Sequence, residues 1–224
     1  DEWLPEKCDS TETLLNTARP NVLVIILEGF GGTFIEAIGG RSDIAPEYNR
    51  LAEEGLFFTN CYSSSFRTDR GVLSLLSGYP AFPTLSVMKM PVKSRTLPCL
   101  ASSLNVAGYA SSFLYGGDIN FTNMQSYLRT GGYNHIVSDK DFTLSERGDN
   151  PWGVDDEVTF GRLQQMIEQQ ADKQPWHIGF LTLSSHEPWE VPYKRLNEEI
   201  PNAFAYTDHC LGRFISWLKQ SKAW

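Results

Sequence analysis

The sequence predicts an α/β protein with a doubly wound, mainly parallel sheet and helices on both faces. Three observations lead there. Apolar runs of the buried-strand type occur at 21–28 and 177–183, with a third strand at about 109–115, as a parallel sheet covered on both faces requires. Helical segments alternate with these runs, several opening on proline and closing on glycine. Polar side chains or glycines follow the strand runs, at the sheet edge where open α/β folds place ligands.

The elements follow in order. Residues 1–20 are polar and irregular and read as a lead-in or linker. Asn21 opens the run Val-Leu-Val-Ile-Ile-Leu, which ends in Glu28-Gly29 and suits a central strand. Gly29, Gly31 and Gly32 let the backbone approach a ligand, or simply leave the strand. The stretch 45–55 reads as a short helix, with Pro46 in its first turn and Gly55 after its end. Leu56 to Asn60 reads as a strand leading into Ser65-Phe66-Arg67-Thr68-Asp69-Arg70-Gly71, and the apolar run from Val72 reads as a helix. A helix at 97–108 repeats the Pro-first, Gly-last pattern and precedes the strand at 109–115 and the turn Gly116-Gly117-Asp118. Helices are expected at 120–130 and 155–171. The strand 177–183 leads directly into Ser184-Ser185-His186-Glu187-Pro188-Trp189. An amphipathic helix at 203–220 carries Phe204, Leu211, Phe214 and Leu218 at helical spacing, a core stripe.

Composition narrows the class of partner. The chain has 224 residues, enough for one good core. Its formal charge is −8, its sequence pI is near 5.0, and no Lys/Arg stripe is present, which excludes general nucleic-acid binding. An anionic substrate would therefore need a local positive device: a metal ion, a helix N-terminus, or Arg67 and Arg70. No apolar run approaches the roughly 20 residues that span a bilayer. Cys8, Cys61, Cys99 and Cys210 are widely spaced with no CxxC pair, so they allow either one or two disulfides or free thiols.

Two features point to chemistry. Glu28 is a carboxylate at a strand's C-terminal end, and Thr68 is a hydroxyl at a helix start, where unpaired N–H groups and the positive dipole end favour an anion. Together they form half of a metal-assisted phosphoryl-transfer site. Each has a plainer reading, since a carboxylate can cap a helix and threonine is a common N-cap. Asp118 and His186 also follow strands and would gather with Glu28 along one sheet edge. Trp152 and Trp189 can be core packing or pocket walls.

These residues resemble a family. The run Asn21 to Glu28, the segment Ile44 to Tyr62, and Arg67-Thr68-Asp69 are similar to the sulfatase-like branch of the alkaline phosphatase superfamily. The resemblance is strongest to its lipoteichoic acid synthase and phosphoglycerol transferase group. Later segments agree in order: Tyr115-Gly-Gly-Asp118-Ile-Asn-Phe121, Trp152-Gly153 with Asp155-Asp156-Glu157, Thr182-Leu-Ser-Ser-His186, and Tyr206-Thr-Asp208. The similarity covers nearly all of 21–220.

The resemblance implies an alkaline phosphatase-like fold and a site, position by position. Glu28 matches a metal ligand, and Thr68 matches the nucleophile, which also ligates the metal and carries the covalent phosphoryl group. The formylglycine motif Cys/Ser-x-Pro-x-Arg of true sulfatases is absent. His186 matches a histidine contacting substrate phosphate; Asp118, Phe121 and Trp152 fall in pocket-lining segments, and Arg67 flanks the nucleophile. Where the family carries Trp-x-Arg, this chain has Thr122-Asn123-Met124, so the head group bound can differ from glycerol phosphate. The implied cofactor is a divalent metal, Mn, Mg or Zn. The family's Asp-His metal pair would lie on a later strand; Asp208-His209 sits mid-helix, the wrong context. The chain accordingly reads as the N-terminal part of a catalytic domain over 21–224, truncated at its C-terminus, with the remaining ligands expected beyond Trp224. The resemblance further implies an extracytoplasmic domain anchored by transmembrane helices outside this chain and acting on anionic lipid head groups or glycans. Two alternatives stay open: a phosphodiesterase or sulfatase-like hydrolase, and a non-catalytic anion-binding module.

Overall fold

The computed structural model describes residues 15–148, 150–170 and 175–224. Most of the expected lead-in, together with Cys8, lies outside the described residues; 15–20 are irregular and largely exposed.

Among the described residues four strands form one sheet: β1 (Val22–Ile26), β2 (Ala110–Tyr115), β3 (His135–Val137) and β4 (Trp176–Leu181). Their spatial order is β1-β4-β2-β3 and every pairing is parallel. The helices are α1 (Pro46–Glu54), α2 (Thr68–Ser77), α3 (Pro91–Ser94), α4 (Leu100–Val106), α5 (Met124–Thr130), α6 (Leu144–Arg147), α7 (Asp156–Glu168) and α8 (Glu199–Leu218).

Side chains alternate between the two faces of each strand, so the sheet buries two separate cores. On one face Phe113, Tyr115 and Leu181 pack against Leu73 and Leu76 of α2, Ala101 of α4, and Tyr127 and Leu128 of α5. On the other, Leu114, Ile178 and Phe180 meet Phe160 and Leu163 of α7 and Leu211 and Phe214 of α8. The fold is thus a doubly wound α/β sheet covered on both faces.

Several expectations need correcting. β1 is not central: among the described residues it pairs only with β4, and all five of its residues are half-buried. β4 and β2 hold the interior positions, and β4 is buried at every residue. An apolar run marks a strand but not its neighbours. The expected strand at 56–60 is irregular, with Leu56 and Phe58 76% and 74% exposed. Among the described residues no strand lies beside it to complete a ladder, and β-propensity without a partner does not make a strand. The helix expected at 97–108 starts only at Leu100, with Cys99 as its N-cap, so Pro98 precedes it. The last helix begins at Glu199, a turn earlier than its stripe suggested. Trp152-Gly153 does not open α7 but lies in the turn before it. β3, α3 and α6 were not foreseen. Cys61, Cys99 and Cys210 carry free thiols, the last two buried.

Candidate active site

All strands run the same way, so their C-terminal ends share one edge, and there the exits of β1 and β4 are stitched together. Thr182 N–H donates to the Ile26 carbonyl at 3.0 Å, and Glu28 N–H donates to Thr182 Oγ1 at 2.9 Å. Ser185 Oγ donates to the Glu28 carbonyl at 2.5 Å. Gly29 makes this approach possible: its φ is +66°, and a Cβ there would lie 2.9 Å from the Ser185 carbonyl oxygen.

The Glu28 side chain meets Thr68, the first residue of α2. Thr68 Oγ1 lies 3.0 Å from both Oε1 and Oε2, so one hydroxyl donates across the carboxylate fork. Thr68 thereby stands where α2 presents its unpaired N–H groups. Burial pushes the Glu28 carboxyl above its usual range; the Thr68 hydroxyl and then the charge of His186 oppose that rise.

His186 follows the β4 exit. Its Nδ1 is 2.7 Å from the Glu187 carbonyl, which can only accept, so Nδ1 carries the proton and Nε2 is left for a ligand. The indole of Trp152 lies 5.2 Å from the imidazole, ring centroid to centroid, and that of Trp189 lies 6.4 Å away. Gly153, at φ +139°, bridges to Gly117 and brings the Trp152 turn against the β2 exit; a Cβ there would sit 2.2 Å from the Gly116 carbonyl.

The remaining expected residues are less closely engaged. Asp118 is exposed, and its Oδ1 accepts from Asn120 N and Nδ2 at 2.9 and 3.1 Å. Phe121 and Trp152 are each 46% exposed at the rim. Arg67 is the exposed N-cap of α2 and makes no side-chain contact with the Glu28–Thr68 pair. Asp208 is no metal ligand: it is buried in α8 and caps α1, accepting from Tyr48 N at 2.8 Å and Glu47 N at 3.0 Å. Burial lifts its carboxyl to about 6.

Sequence reasoning missed what holds the β4 exit in place. Asp156, wholly buried at the start of α7, accepts from Leu183 N at 2.8 Å and Ser184 N at 3.2 Å, and from Thr207 Oγ1 at 2.6 Å. Its own N–H donates to Ser184 Oγ at 2.9 Å. Burial pushes its carboxyl upward. The sequence offered an acidic residue in a helix's first turn, within a segment resembling the family, and neither reveals a partner so distant in sequence.

Glu28 and Thr68 offer hard oxygen donors, a chemistry that suits Mg, Mn or Zn. A half-buried carboxylate whose negative charge is disfavoured, facing one hydroxyl, is a donor set that a cation fits. Among the described residues no group of three or more His, Cys, Asp or Glu side chains forms a metal-binding cluster.

The doubly wound parallel fold is that of the alkaline phosphatase superfamily, as the solved structure it superposes on shows. Within it the chain belongs to the sulfatase family, whose model matches residues 20–224. It is 22% identical over 206 residues to the lipoteichoic acid synthase-like YvgJ of Bacillus subtilis (strain 168), covering 89% of this chain and 32% of that protein. It is 24% identical over 155 residues to phosphoglycerol transferase I of Escherichia coli (strain 55989 / EAEC), covering 65% of this chain and 20% of that one. The crystal structure of an alkaline phosphatase superfamily protein from Vibrio parahaemolyticus superposes with TM-score 0.85 at 30% identity, over 92% of this chain and 52% of that chain. The chain thus spans about a third or less of these curated relatives, and about half of the solved structure.

Proposed function

We propose that this chain carries the nucleophile and part of the metal site of a phosphoglycerol, or related phosphoryl-alcohol, transferase. The observation carrying the reading is the Thr68 hydroxyl 3.0 Å from both oxygens of Glu28, at the first turn of α2. Glu28 orients Oγ1, and the N-terminus of α2 favours negative charge developing beside it. His186, with both ring nitrogens protonated, would donate from Nε2 to a donor phosphate oxygen. Trp152 and Phe121 wall the entrance, with Asp118 and Arg67 at its margin.

Thr68 Oγ1 attacks the phosphorus of a phosphodiester; the bond to the first alcohol breaks, that alcohol leaves with the hydroxyl proton, and the phosphoryl group, still esterified to its other substituent, stays on Thr68. A second alcohol then attacks the same phosphorus and frees Thr68. Glu28 and Thr68 would hold a divalent cation, which would supply charge neutralisation for the hydroxyl and the phosphoryl oxygens. The substrates of this reading are lipid head groups or envelope glycans, and its setting is an extracytoplasmic catalytic domain anchored in a membrane. The names of the relatives support it. Among the described residues no helix is long and apolar enough to cross a membrane.

The test is mass spectrometry of the full-length protein, quenched in acid during incubation with a phosphatidylglycerol donor and manganese. A phosphorylated or glycerophosphorylated Thr68 peptide, absent in Thr68→Ala, is expected. Turnover with no modified Thr68 at any quench time would refute the covalent route. Water alone taking up the phosphoryl group would make the enzyme a phosphodiesterase.

A further inference from the structure

The basic side chains around the start of α2 differ in what they touch. Arg67 is exposed and stands clear of the Glu28–Thr68 pair. Arg70 is half-buried and donates from Nη1 to the Pro83 carbonyl. Lys89 closes a 3-10 turn at Val87–Lys89, and its Nζ lies 3.8 Å from Oδ2 of Asp69, the residue after Thr68. The Asp69 side chain is 4% exposed and that of Lys89 53%. At 3.8 Å the charges attract without a hydrogen bond, so the ammonium keeps its three N–H groups for a ligand. Its backbone, in contrast, is held firmly. Thr122 and Asn123 have φ +56° and +67°, successive left-handed residues that persist only where the surroundings enforce them. Both grip Met88, wholly buried beside Lys89. Asn123 Nδ2 donates to the Met88 carbonyl at 3.0 Å, and Thr122 Oγ1 lies 3.7 Å from its Sδ. The same turn carries Phe121 to the rim of the site.

We propose that Lys89 is a substrate-binding residue, donating from Nζ to one non-bridging oxygen of the donor phosphodiester as it reaches Thr68; that the anion is a donor phosphodiester rests on the transferase reading above. The second non-bridging oxygen is left for His186. The geometry suits a ligand better than a structural tie. A charged pair built to hold two elements together closes to a hydrogen bond of about 2.7–2.9 Å, and an exposed pair contributes little to stability. Asp69 has a further use. The N-terminal end of α2 repels an ammonium through its positive dipole, and a buried carboxylate in the first turn offsets that repulsion. Lys89 thereby rests beside the nucleophile with its hydrogen-bonding capacity intact, in a chain whose overall charge of −8 otherwise disfavours an anion.

The test is calorimetric titration of the full-length protein, with manganese present, using monomeric dihexanoyl phosphatidylglycerol in which a methylene replaces the oxygen between phosphorus and diacylglycerol. That bond cannot be cleaved, so binding is read without turnover. Lys89→Gln should weaken binding about tenfold, the order of one lost charge-assisted hydrogen bond, and Lys89→Arg should stay within about threefold of wild type. Asp69→Asn should bind as tightly as wild type or more so, because it frees the ammonium. A mere tie predicts the opposite, equal losses in Lys89→Gln and Asp69→Asn, and that result would overturn the proposal. Unchanged affinity in Lys89→Gln, or no saturable binding by wild type, would overturn it too. Near-UV circular dichroism establishes that the variants stay folded. If Asp69→Asn does not, salt dependence decides: affinity should fall with ionic strength less steeply in Lys89→Gln than in wild type, and parallel slopes would refute the contact. Lys89-dependent binding with no modified Thr68 at any quench time would sink the transferase reading and leave the anion contact standing. Modified Thr68 with full affinity in Lys89→Gln would do the reverse.

Discussion

Thr68 and Glu28 stand 40 residues apart in sequence, yet one hydroxyl sits 3.0 Å from both oxygens of the other's carboxylate. The contact depends on two independent placements, a strand end and a helix start, meeting at one sheet edge. On the proposed mechanism the hydroxyl is indispensable to chemistry and nearly irrelevant to packing. Thr68→Ala should lower kcat of the full-length enzyme about a thousandfold or more, as loss of a nucleophile does. Stability should change by less than about 1 kcal/mol. Thr68→Ser should keep measurable turnover. Alanine-variant turnover within tenfold of wild type would exclude Thr68 as nucleophile.

Gly29→Ala tests how the pair is held. Gly29 has φ +66°, and an added Cβ would fall 2.9 Å from the Ser185 carbonyl. Alanine there should cost about 1–3 kcal/mol through strain and backbone displacement. Because Ser185 also fixes the Glu28 carbonyl, turnover should fall as well, through kcat more than KM. A variant with wild-type melting temperature and activity would show that the close approach of the two loops is not needed.

The features legible in the sequence were those written in one local stretch. The apolar runs ending at Glu28 and leading to His186, and Thr68 before a helical stripe, each declare themselves within a dozen residues. What stayed hidden depends on partners remote in sequence. Among the described residues β1 has one neighbour, set by pairing remote in sequence: Val22 pairs with His177. Asp156 and Asp208 look like surface acids on paper. Their roles appear only when α7 meets the β4 exit and α8 meets α1. Leu56 to Asn60 misled because its side chains suit a strand while, among the described residues, none lies beside it.

Asp208→Ala should loosen α1. Its two oxygens satisfy the Glu47 and Tyr48 N–H groups at 3.0 and 2.8 Å, donors at that helix start with no intrahelical partner. Losing a cap and stranding buried donors should cost about 2–4 kcal/mol. Urea unfolding followed by circular dichroism measures it, and a loss below 0.5 kcal/mol, the ordinary range for surface positions, would remove the capping role.

His177 should give the fold an acid sensitivity of its own. It is fully buried. Its Nδ1 lies 3.0 Å from the Val22 carbonyl, so Nδ1 donates, and its Nε2 lies 2.9 Å from Tyr133 Oη, whose hydroxyl donates back. Both bonds belong to the neutral ring, and burial holds the folded-state pKa below the ordinary 6.5. In the unfolded chain the ring gains its proton near pH 6.5, so there the unfolded state binds more protons than the folded one. Stability from this residue is therefore complete above 6.5 and is lost as pH falls from 6.5 toward the depressed value. Asp208, raised to about 6, and Glu28 and Asp156, raised by burial, act with the opposite sign. Their stability is lost as pH rises through their folded pKa values, so the wild-type profile alone is not diagnostic. The difference from His177→Gln is. Glutamine should be the less stable protein at pH 8, and the gap in melting temperature should narrow as pH falls from 7 to 5. Parallel curves over that range would show that the neutral ring does not couple His177 to folding.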